Sequence, residues 1–126
     1  MRLLQPVTIF LVAFMLAACD GGISVNAEVV DATNNPIPNA NATMHSSQSG
    51  REYSSVTSEH GCLSIGGTAT PGKYEYQLAI FAPGYKRLEL PVQTLEHYNF
   101  HVVLERESSA RTSRASPATE PRCGAL

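Results

Sequence analysis

The sequence predicts an all-β domain, a sandwich of about seven short strands. Three observations lead there. Residues 73–81 (KYEYQLAIF) alternate strictly, with Tyr74, Tyr76, Leu78 and Ile80 on one side and Lys73, Glu75, Gln77 and Ala79 on the other. A period of two places one face on a core and one in water, as in a half-exposed antiparallel strand. Similar runs recur at roughly ten-residue spacing between turn residues, and no stretch after the first eighteen residues carries helical periodicity.

The other strands fall in order around that one. Residues 23–31 alternate Ile23, Val25, Ala27 and Val29 against Ser24, Asn26 and Glu28. Asn34-Asn35-Pro36-Ile37-Pro38-Asn39 stops this run, because proline removes ladder donors and asparagine accepts turn geometry. Residues 41–46 form a weaker strand with Ala42 and Met44 inward, and residues 52–57 one polar enough for a sheet edge. After the Ser58–Gly61 turn, Leu63 and Ile65 face inward from residues 62–65. Residues 85–92 present Leu88, Leu90 and Val92, and residues 98–104 close the series with Tyr98, Phe100, Val102 and Leu104. A Greek-key arrangement is expected for such a set. Residues 106–126 are rich in Ser, Ala, Arg and Pro without apolar periodicity, and read as a disordered tail.

The first residues have a different logic. Arg2 gives a positive start, and residues 7–16 are an apolar run of about ten, half of what a membrane-spanning helix requires. This fits a signal-peptide core. Leu16-Ala17-Ala18-Cys19 resembles the lipobox of bacterial lipoproteins. That resemblance implies removal of residues 1–18, lipidation of the Cys19 thiol, and a lipidated start with a short linker over residues 19–22. Two or more acyl chains hold a protein stably on a membrane, so the expected location is the bacterial envelope, facing the periplasm or the exterior. Asp20 resembles the enterobacterial signal for retention at the inner membrane.

Five short pieces carry a second resemblance. Val29-Val30-Asp31, Pro36-Ile37-Pro38-Asn39-Ala40, Glu59-His60-Gly61, Pro71-Gly72-Lys73-Tyr74 and Ala82-Pro83-Gly84-Tyr85 are similar, in order, to the carboxypeptidase regulatory-like domains. That family has a transthyretin-like (prealbumin-like) seven-stranded sandwich, here over residues 23–105. Asn35 departs from the turn glycine usual in the family, and Cys62 from its polar or aliphatic residue. The family implies a non-catalytic accessory, structural or ligand-presenting module.

Composition and motifs bound the chemistry. The net charge is −2, without the basic face that nucleic acid demands. Residues 19–105 hold four Lys or Arg against nine Asp or Glu, a net of −5, while the tail is basic at +2. His97 and His101 share one strand face about 13 Å apart, too far to share a metal ion, and no third ligand matches them; no metal or cofactor is expected. No Gly-x-Ser-x-Gly elbow occurs. The transthyretin-like hydrolases of purine breakdown end in a Tyr-Arg-Gly-Ser signature, whereas this chain ends Pro121-Arg122-Cys123-Gly124-Ala125-Leu126. A lysine on the first strand, as isopeptide cross-linked surface sandwiches use, is also missing, since the only lysines are Lys73 and Lys86. Phe81 and Tyr85 flank the Ala82-Pro83-Gly84 turn and are the candidate ligand contacts, for a glycan or peptidoglycan. The expected function is therefore a non-catalytic, membrane-anchored envelope lipoprotein with an envelope protein or glycan as partner. A glycan-binding lipoprotein is the alternative, and a small hydrolase comes last.

Lipidation of Cys19 leaves Cys62 and Cys123, an even number in an oxidising compartment. Cys62 alternates with inward Leu63 and Ile65 and so faces out, and the tail is long enough to bring Cys123 to it. A Cys62–Cys123 disulfide is expected, with two free thiols or an intermolecular bridge as alternatives.

Overall fold

The computed structural model describes residues 22–48, 50–68, 75–93, 96–118 and 123. Cys19, Asp20, Tyr74 and the Pro71-Gly72 turn lie outside the described residues. Eight strands form two four-stranded sheets: β1 (Gly22–Val30), β2 (Asn41–His45), β3 (Glu52–Val56), β4 (Cys62–Thr68), β5 (Glu75–Phe81), β6 (Leu88–Gln93), β7 (His97–Val103) and β8 (Arg114–Pro117). One sheet has the order β4-β1-β7-β8 and the other β3-β2-β5-β6.

The alternating run is the interior strand β5, antiparallel to both β2 and β6. Its inward residues Tyr76, Leu78 and Ile80 are buried and Glu75 and Gln77 are exposed, whereas Ala79, expected in water, is buried. In the facing sheet β1 is interior, antiparallel to β4 and parallel to β7. Val25, Val29, Leu63, Val102 and Leu104 pack from that side against Met44, Leu78, Ile80 and Val92. Each fully buried aliphatic side chain of this kind is worth about 1.5–3 kcal/mol relative to exposure.

Two expectations are corrected here. The sandwich has eight strands rather than seven, and residues 106–118 are ordered rather than a disordered tail. Strand β8 pairs with β7 through Phe100–Pro117, His101–Ser116, Val102–Ala115 and Val103–Arg114. Only Ala115 contributes apolar surface to the core, so no hydrophobic period marks the strand. Polar contacts hold the segment instead. The buried Glu105 carboxylate pairs with Arg114 at 2.7 Å. The Ser113 hydroxyl donates to Lys86 O at 2.7 Å and accepts from Glu105 N at 3.0 Å. The basic segment thus lies on its own acidic domain. Cys62 and Cys123 are joined in a disulfide, with Cα atoms 5.5 Å apart.

Every odd-numbered strand ends, and every even-numbered strand begins, at one end of the sandwich. The β1–β2, β3–β4, β5–β6 and β7–β8 connections therefore gather there, and the chain enters β1 at the other end. The four loops are stitched together. Thr57, buried, donates its hydroxyl to Ile37 O at 2.7 Å and accepts from Ala40 N at 2.8 Å. Tyr85 bridges to Arg106, and for that reason β6 starts at Leu88 rather than at Tyr85.

Two substitutions check this architecture by denaturant unfolding. Leu78→Ala is expected to cost roughly 2–5 kcal/mol, while Glu75→Ala on the opposite face stays within about 0.5 kcal/mol; equal losses contradict the facing of β5. Thr57→Val keeps the shape but leaves two buried backbone groups unpaired, at about 1–3 kcal/mol. A neutral result there means that water reaches both groups.

Candidate functional site

The loop end carries a cleft of about 320 Å³ between the β1–β2 and β7–β8 connections, lined among others by Asp31, Thr33, Glu105, Arg106 and Ser108. Asp31 begins it. Immediately after β1 the chain turns, and the carboxylate oxygen Oδ1 accepts three hydrogen bonds: from Thr33 N at 2.9 Å, Thr33 Oγ1 at 2.8 Å and Asn35 N at 2.9 Å. This is the local side-chain-to-backbone bonding for which Asp is favoured in turns. The Asn35 amide, followed by the Thr33 donors and the charge of Arg106, holds the carboxyl below its ordinary 3.8, against a smaller opposing effect of burial.

Across the cleft Arg106 lies over the Tyr85 ring, its guanidinium carbon 5.3 Å from the centroid. Nearby, Lys86 Nζ donates to Ser109 O and, at 2.7 Å, to Arg111 O, fixing the rim. Of the two candidate ligand contacts, Tyr85 supports a residue of the cleft wall, Arg106, without lining the cleft itself. Phe81 ends β5 and carries the Arg87 guanidinium 5.0 Å above its centroid. Both rings are half-buried, and each has one face occupied by an arginine. In the sequence the Asp-Ala-Thr-Asn-Asn turn is the signal for Asp31, and nothing local marks Arg106.

The histidines stand apart from this cleft. His101 Nδ1 lies 3.2 Å from Glu28 Oε1 on the outer face of the first sheet, His97 is exposed on the same strand, and His45 and His60 are exposed elsewhere. No group of three or more His, Cys, Asp or Glu that would hold a metal ion occurs among the described residues. A second cleft of about 320 Å³, near His45, Gln48 and Glu75, opens at the opposite end. There Glu75 N donates to Gln48 Oε1 at 3.0 Å. No described helix is long and apolar enough to cross a membrane.

No family model matches the chain, and no curated protein does. Solved structures resemble it in shape. The 5-hydroxyisourate hydrolase of Klebsiella pneumoniae superposes with a TM-score of 0.57 at 11% identity, over 76% of this chain and 99% of the hydrolase. The fold is transthyretin-like. The 3-chlorocatechol 1,2-dioxygenase of Rhodococcus opacus matches 68% of the chain with a TM-score of 0.52 at 11% identity. The catechol 1,2-dioxygenase of Acinetobacter radioresistens matches 80% with a TM-score of 0.52 at 13% identity. The chain spans 60% and 55% of the length of these two dioxygenases. Identities this low carry the fold and no activity with it.

The Asp31 turn yields a pH prediction. Its folded carboxyl is more acidic than in the unfolded chain, so its stabilisation is present above the ordinary value and fades as pH falls through the folded one. The stability gap between the wild type and Asp31→Asn, read from denaturant midpoints between about pH 2 and pH 6, is therefore widest at the upper end and shrinks toward acid. A gap independent of pH excludes the charge as its cause.

Proposed function

We propose that this chain is a non-catalytic, lipid-anchored module of the bacterial envelope, of the carboxypeptidase regulatory-like kind, with an accessory or interaction role. The Cys62–Cys123 disulfide is the observation that carries the reading. Such bonds persist in oxidising compartments outside the cytoplasm, which agrees with a charged start, a short apolar run and the Leu16-Ala17-Ala18-Cys19 lipobox. The five family-like pieces over residues 23–105 give the module its kind.

The anchor then sets an orientation. Cys19 precedes the first residue of β1, Gly22, by three positions, a reach of about 10 Å. The entry end of the sandwich sits close to the bilayer, and the loop end with its cleft points away from it, toward an envelope protein or a glycan. Asp20 favours the inner membrane. The alternative reading, a glycan- or peptidoglycan-binding lipoprotein, draws on the half-buried Tyr85 ring beneath Arg106 of the cleft wall. A hydrolase reading draws no support from the cleft, whose described lining holds no histidine.

Metabolic labelling with palmitate tests the anchor. Wild-type chain takes up label and partitions into detergent, whereas Cys19→Ser takes up none and stays an uncleaved or soluble precursor. A labelled, mature Cys19→Ser protein sinks the lipoprotein reading.

A further inference from the structure

Asp31 and Arg106 line one cleft with opposite charges and do not close on each other. Among the described residues the close contacts between basic and acidic side chains are His60–Glu59, Arg87–Glu89, His101–Glu28 and Arg114–Glu105, and Arg106 is in none of them. Each charge is fixed by something else. Three donors converge on one oxygen of Asp31, and Oδ2 has no hydrogen bond among the described residues. The Arg106 guanidinium rests over Tyr85, and a stacked guanidinium keeps its in-plane N–H donors for a planar anion. The turn holds Asp31 and the Tyr85 ring supports Arg106, and groups positioned before binding lower its entropic cost.

Two preset charges of opposite sign on either side of a gap are complementary to a ligand that carries both signs. The volume, about 320 Å³, lies at the small end of ligand pockets, which run from about 300 to 1,000 Å³. We propose that the cleft binds a small zwitterion, a free α-amino acid or short peptide. Its carboxylate meets the Arg106 guanidinium in the two-pronged manner that arginine favours. Its ammonium meets Asp31 Oδ2, and the Ser108 hydroxyl, also at the wall, serves the peptide or carboxylate oxygen. Arg114 neutralises Glu105 at 2.7 Å, so the second carboxylate in the wall adds no net repulsion to the incoming anion. This inference rests on the fold and the cleft, not on the lipid anchor, and stands or falls separately from it.

The test is nuclear magnetic resonance of the isotope-labelled full chain in detergent micelles, titrated with diglycine, with acetate and with methylammonium. The expected result is a saturable shift of the amides of residues 31–33 and 105–109 with diglycine. Acetate and methylammonium, each carrying one of the two charges, bind at least about tenfold more weakly. Arg106→Met, which keeps a long side chain over Tyr85, and Asp31→Asn, which keeps the turn acceptor, each weaken diglycine by about tenfold. Unshifted strand amides show that either variant is folded; should Asp31→Asn disturb its loop, Arg106→Met decides alone. No saturable shift at these amides, acetate binding as well as diglycine, or wild-type affinity in Arg106→Met overturns the proposal.

Discussion

Between Val30 and Asn41 the chain must leave one sheet and enter the other without stranding backbone polar groups in the interior, and much of the molecule is arranged around that crossing. A buried unpaired N–H or C=O costs about as much as a lost hydrogen bond, and this crossing runs over the core. Val29 O accepts from Ile37 N at 3.0 Å, Asp31 N donates to Asn35 O at 2.9 Å, and Thr57 N donates to Ala40 O at 2.9 Å. The Thr57 hydroxyl supplies the remaining partners. Asn34 and Asn39 take positive φ values of 67° and 59°, the conformation asparagine accepts more readily than other non-glycine residues. Gly61 closes the arrangement at φ +75°, where an added Cβ would stand 2.6 Å from Val29 O. The Asp31 turn is thus the outer rim of a crossing that the core itself requires.

That rim needs a second wall, and the segment after β7 provides it. Leu104 N donates to Val30 O at 2.9 Å and Lys86 N to Glu105 O at 2.7 Å, so residues 104–106 run between the crossing and the β5–β6 connection. From there β8 adds a short edge strand to the first sheet. In the strand order β4-β1-β7-β8, Cys62 begins one edge while Cys123 follows the strand at the other. The disulfide ties the two edges of one sheet into a loop with a sequence separation of 61. In the chain-entropy model such a closure is worth roughly 4 kcal/mol. For a domain this small, with a correspondingly small buried core, that is a large share of the total. The polar contacts of Ser113, Lys86 and Arg114 then set where the constrained segment lies.

What could be read in advance follows from how local each signal is. The alternation of Tyr76, Leu78 and Ile80 is a property of consecutive residues, and it fixed the facing of β5 without reference to any partner. The same holds for Val25, Ala27 and Val29 in β1. The pairing of Cys62 with Cys123 needed only reach and parity. Strand β8 was missed because its order comes from edge pairing and from Glu105, Lys86 and Ser113, none of which leaves a periodic trace in Arg-Ala-Ser-Pro. The cleft was missed for a related reason. Asp31 and Arg106 are separated by most of the domain in sequence, and they meet because β1 and β7 run parallel as neighbours and so release their next residues at the same end. Period-two patterning reports which face a residue occupies but not which strand lies beside it.

The same geometry separates what the fold carries from what this chain adds to it. Two packed sheets with 11–13% identity to a hydrolase and to dioxygenases fix strand order and a hydrophobic interior, which many sequences can satisfy. Chemistry has to come from the loops that this scaffold holds in place. Here four of them converge at one end, and their polar groups divide into two sets. Thr57, Glu105 with Arg114, and Ser113 are spent on backbone and ion-pair partners within the domain. Asp31 Oδ2 and the Arg106 guanidinium have neighbours that hold them without forming an ion pair, and the two act on each other only at longer range. Two opposite charges that line one gap without forming an ion pair leave room between them for an outside molecule that carries both signs.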